Sequence, residues 1–131
     1  MPSSLDIPAR LIQHCLGSDE PTKLMLRTGQ FADGWVDVYL TMIDEAKRRY
    51  GHLPEWPRDL VASAYCACVY CEKRYRDWRA GGNAPNAETE SSLQQIRWAT
   101  DSLFLGWVWH QIPLKPETDP IGVSEKNLVD R

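Results

Sequence analysis

Two breaker clusters, HLPEWP at residues 52–57 and GGNAPNA at 81–87, bracket a stretch with no glycine or proline between them. Within it Leu60, Ala64, Ala67, Cys68, Cys71, Tyr75 and Trp78 recur at helical spacing, so the segment reads as one helix from Pro57 to about Ala80. At 1.5 Å per residue such a rod is about 35 Å long, the width of a small domain. Small residues (Ala62 and Cys66, beside Val69) on its reverse side would let neighbours approach from both faces. This third helix is therefore expected at the centre of a bundle.

The other segments fit around it. A first helix is expected from Asp6 to Leu16, with Asp6 as N-cap, Pro8 in the tolerant first turn and Gly17 as the stop. A fourth runs from a cap at Asn86 or Thr89 to about His110, before Pro113. Residues 22–43 are ambiguous. Asp33-Gly34 is a turn signal, and Val36, Val38, Leu40 and Met42 alternate as in a strand or hairpin. Phe31, Trp35, Val38, Met42, Ala46 and Tyr50 follow the helical period instead, with Asp44–Arg48 and Glu45–Arg49 as i,i+4 pairs and Gly51 at the end. Helix is the better reading. The fold class is all-α: a small single-domain bundle of four main helices, residues 1–112, with an extended proline-containing C-terminal tail at 113–131.

At 131 residues the chain suits one domain, and 43% apolar with 25% charged residues is ordinary globular usage. A net charge of -3 leaves no electrostatic footprint for nucleic acid or an anionic membrane. EKRYRDWR at 72–79 mixes cations with aromatics, but Tyr75 and Trp78 belong to the core stripe, so nucleic acid is a poor partner. No run of about 18 apolar residues is present, and the N-terminus lacks the pattern of a signal peptide. Cys15, Cys66, Cys68 and Cys71 lie in apolar helical contexts, which points to reduced thiols and a cytoplasmic protein.

AYCACVYCEKRY places three of those cysteines within six positions. On an α-helix Cys68 and Cys71 stand side by side, while Cys66 points about 160° away from Cys68. One ion cannot reach all three, and no second C-x-x-C or H-x-x-x-H completes a zinc set. A redox pair would open a helix after a strand, whereas this one is mid-helix. The thiols are expected in the core, with no metal and no cofactor.

Catalytic templates are missing: no G-x-S-x-G, P-loop, G-x-G-x-x-G, H-E-x-x-H or EF-hand loop occurs. His14 beside Cys15 points about 100° away from it on a helix. No catalytic residue is assigned.

Two surfaces carry the functional expectation. Asp33, Asp37 and Asp44 fall within about 40° on the second helix and could meet a basic partner, bind a divalent ion, or simply form a solvated face. On the fourth helix Leu93, Ile96, Thr100, Leu103, Phe104 and Trp107 make the core stripe. Trp98, Leu105 and Trp109 form a second line about 160–200° away. That line has to be covered by the tail or first helix, by another protein, or by a pocket. The leading reading is a non-enzymatic interaction module of the immunity, assembly-chaperone or regulator type, binding another protein or itself. The alternative is a small-molecule binder or small enzyme with an aromatic pocket between the third and fourth helices.

Overall fold

The computed structural model describes residues 6–111, with side chains described as far as Gly106. Six α-helices and one π-helical turn make up this part: α1 Ile7–Leu16, α2 Thr22–Thr28, α3 Trp35–Tyr50, α4 Arg58–Tyr65, a π turn Cys66–Tyr70, α5 Cys71–Ala80 and α6 Ala87–Gln111. No strand occurs among the described residues, so the all-helical expectation holds and the hairpin alternative for 22–43 does not. The expected tail at 113–131 lies outside the described residues.

The helix ends follow their local chemistry. Asp6 accepts a hydrogen bond from the Ala9 N–H at 3.1 Å, and Asn86 does the same for Thr89 at 3.1 Å, each satisfying a donor that the first helical turn leaves free. Pro57 precedes α4, where its missing N–H costs nothing.

The second expected helix divides in two. Gly29 (φ 73°) ends α2 and Gly34 (φ 78°) precedes α3, both in the left-handed region that breaks a right-handed helix. Phe31 keeps its spacing from Trp35 but sits in the intervening loop, stacked on that indole at 5.3 Å. A Cβ on Gly29 would lie 2.5 Å from the Trp78 ring, so only glycine lets α2 settle against α5.

The core joins Ile7, Leu11 and Cys15 of α1 with Trp35, Tyr39, Met42, Ile43 and Ala46 of α3, and draws in Leu60, Ala67, Ile96 and Leu103. α1 packs on α4 and α3, α3 on α6, and α2 on α5. The rod 58–80 meets α1 through α4 and α2 through α5. Of its small reverse-side residues only Cys66 is buried; Ala62 is half-buried and Val69 exposed, so the rod keeps one uncovered side.

The rod departs from a plain α-helix at one place. Across Cys66–Tyr70 the Cys71 N–H reaches the Cys66 carbonyl, an i→i+5 bond that widens the turn. The α-helical wheel sets Cys66 opposite the core pair. In the structure Cys66 is buried, only 4% exposed, with its thiol 3.4 Å from the Cys15 carbonyl oxygen, and Cys68 is the half-buried one. The wider turn lets Cys66, Ala67 and Cys71 all face inward.

Candidate functional site

α6 presents two faces. Its inner face carries Ile96 and Leu103, and two threonines that end in buried hydrogen bonds. Thr89 donates to the Gly29 carbonyl at 2.7 Å, and the Thr100 hydroxyl meets Tyr39 Oη at 2.8 Å. These bonds set the rotation of α6 about its axis. The face turned away from the core then carries Trp98, 63% exposed, and Leu105, 55% exposed. The first helix does not cover them. The Trp109 side chain lies outside the described residues.

Trp98 stands between two concavities. Towards α3, a shallow depression of about 560 Å³ includes Asp101, Ser102, Leu105 and Lys47, whose ammonium donates to Ser102 Oγ at 2.6 Å. Towards α5, a cleft of about 380 Å³ is walled by Tyr75, Leu93, Arg97 and Trp98. Polar side chains tie its two helices together: the Tyr75 hydroxyl donates to Glu90 at 2.8 Å, and Arg97 pairs with Glu72, which also holds Arg76 at 3.3 Å. This cleft lies between α5 and α6.

The acidic trio is divided. Asp33 is in the turn before α3 and not on the helix, because Gly34 delays the helix start. With Asp37 in the first turn of α3 and Glu88 of α6 it borders a depression of about 220 Å³. Asp44 is not part of this group; it is an exposed residue ion-paired with Arg48. Among the described residues no three His, Cys, Asp or Glu side chains are grouped to hold a metal ion.

The thiols are poor nucleophiles where they sit. Burial pushes the Cys15 and Cys71 thiols well above their ordinary range, and Cys66 up to about 11, with Glu20 adding to the effect there. A thiol that stays protonated at neutral pH packs as a small apolar group.

One surface escapes a reading of the sequence centred on α6. Leu16 at the end of α1, Val61 and Tyr65 of α4, and Val69 and Tyr70 of the π turn are all exposed. Leu16, Val61, Tyr65 and Tyr70, with Arg58, line a mostly apolar groove of about 450 Å³ that also includes Ala62 and Cys66. Tyr65 and Tyr70 meet edge to face at 5.9 Å. The available signal was Val61, Tyr65 and Val69 at i, i+4 and i+8, a second apolar line of the same kind as that on α6.

No family model, curated protein or solved structure matches this chain.

Proposed function

We propose that this protein is a non-enzymatic interaction module that binds another protein, or a further copy of itself, through the outer face of α6. The observation that carries the reading is the Trp98–Leu105 line, two large apolar side chains left in solvent on a helix whose other face is fully employed in the core. Burying such groups is worth about 1.5–3 kcal/mol each, and tryptophan is prominent among residues that dominate binding energy. Asp33 and Asp37 give the same molecule an acidic border suited to a basic partner. Four free cysteines, three of them buried, fit a reducing compartment such as the cytoplasm. Among the described residues no helix is long and apolar enough to cross a membrane.

Affinity capture with wild-type protein beside Trp98→Ala and Leu105→Ala tests this reading. A partner retained by wild type and lost by both variants, with melting temperatures unchanged, is the expected result. Equal recovery on all three would remove α6 from the interface.

A second reading has one observation in its favour, the cleft between α5 and α6 with its aromatic walls and paired guanidinium groups. It would hold a small aromatic ligand. A thermal-shift screen giving a ligand whose effect vanishes in Arg97→Ala would favour it over the interface.

A further inference from the structure

We propose that the apolar groove at α1, α4 and the π turn receives the outer face of α6 from a second copy of this chain, so that the protein self-associates head to tail. This rests on the reading of α6 as an interaction surface and names its partner.

The groove restricts what can enter it. Apart from Arg58 its walls are mostly carbon, so an extended segment would bury most of its backbone N–H and C=O groups unpaired. A helix brings its backbone already satisfied. The positions from Arg58 to Tyr70 cover about 18 Å along the rod axis, longer than the roughly 10.5 Å between Trp98 and Leu105 on α6.

Exposure narrows the choice further. Among the described residues nine large apolar side chains are exposed, and four of them (Leu16, Val61, Tyr65, Tyr70) line this groove. Trp98 and Leu105 form the other such line, on the outer face of α6 (the ridge below), where they border a shallow depression. Both surfaces are apolar and open, so each has a face left to cover.

Charge agrees with shape. Arg58 is the single charged residue of the groove lining and makes no ion pair among the described residues. It also sits in the first turn of α4, where the helix dipole favours an anion. On the ridge Asp101 lies between Trp98 and Leu105 and likewise has no ion pair there, because Arg97, the cation one turn before it, is held by Glu72. Lys47 borders the far side of the ridge and is engaged by Ser102. Docking the ridge into the groove brings Asp101 towards Arg58. Because groove and ridge are different patches, the contact is heterologous and can extend from copy to copy.

Sedimentation velocity on the full chain over a wide concentration range tests the assignment. Wild type is expected to form a concentration-dependent series beyond a dimer. Val61→Glu blocks the groove and Leu105→Glu blocks the ridge; both positions are exposed, and circular dichroism checks that each variant keeps its helices. Each variant alone should be monomeric, and an equimolar mixture should form a one-to-one dimer and nothing larger. Arg58→Glu and Asp101→Arg should each weaken association by about tenfold, and the two together in one chain should recover it. A wild type that stays monomeric at high concentration overturns the second copy as occupant, while capture of a different protein through Trp98 would still stand. A dimer lost in Leu105→Glu but kept in Val61→Glu overturns the groove, since it would mean that two α6 faces meet each other.

Discussion

His14 and Trp35 hold one another through both rings and both backbones. The indole N–H donates to the His14 carbonyl at 3.0 Å, the imidazole Nε2–H donates to the Trp35 carbonyl at 2.9 Å, and the rings stack at 4.4 Å. The indole also reaches the Asp19 carbonyl at 3.0 Å. The pair clamps the end of α1 to the start of α3, and Phe31 and Tyr39 also stack on Trp35. Three loosely connected pieces of chain are thereby joined at one tryptophan.

The clamp makes stability depend on pH. Burial lowers the pKa of His14 below its ordinary 6.5, and it outweighs the opposing Trp35 carbonyl bond and the Asp19 charge. The unfolded chain therefore takes up the proton first. Stability from this group is complete above about pH 6.5, falls as the pH drops below it, and levels off under the folded pKa. Urea midpoints between pH 7 and pH 5 should decline in wild type and decline less in His14→Gln. Parallel slopes would show that another group is responsible.

The cysteines should differ in reactivity. A thiol reagent added to native protein should label the half-buried Cys68 first, with Cys15, Cys66 and Cys71 reacting only as the chain unfolds. Cys71→Ser, which puts a hydroxyl in an apolar site, is expected to cost about 1–3 kcal/mol, and Cys68→Ser less than about 0.5 kcal/mol. Prompt labelling of all four in native protein would contradict the packing described for the π turn.

Tyr39 and Thr100 couple α3 to α6 through a buried 2.8 Å hydrogen bond. Tyr39→Phe should destabilise by about 0.5–1.5 kcal/mol, and a double-mutant cycle with Thr100→Val should return a coupling near 1 kcal/mol. Strictly additive losses would mean that the bond contributes nothing to the seating of α6.

The acidic residues should separate by function. With a basic partner, Asp33→Lys and Asp37→Lys should slow association and flatten its salt dependence, whereas Asp44→Lys, away from that border, should change the rate little. Stopped-flow association at low and high salt reads this directly. Equal effects at all three positions would restore the single acidic face.

Much of the fold is legible because it is local. Asp6 and Asn86 cap helices through bonds that span three residues, and Pro57, Gly17 and Gly51 act on the backbone beside them. The core stripe of the rod follows from spacing alone, and Leu60, Ala64, Ala67 and Cys71 are buried as the period requires. The exposed Trp98 and Leu105 were visible in the same way, since Ile96, Thr100 and Leu103 claim the opposite side of α6.

The remainder depends on contacts between distant residues. A wheel of regular pitch cannot contain the π turn, which exists where Cys66 meets Cys15 across 51 positions of chain. The division of residues 22–50 into two helices follows from left-handed backbone at Gly29 and Gly34, and Gly29 is required there by Trp78 of α5. Asp33 and Asp37 acquire Glu88 as a neighbour only when α6 lies against α3, and Asp33 leaves the helix because Gly34 delays the start of α3. The groove likewise needs Leu16 of α1 beside Val61 and Tyr70. Sequence alone determined which segments are helical and which faces are apolar, because backbone preference and periodicity act over a few residues. Tertiary packing decided which apolar faces meet and which stay open, because that choice is made by side chains far apart in the chain.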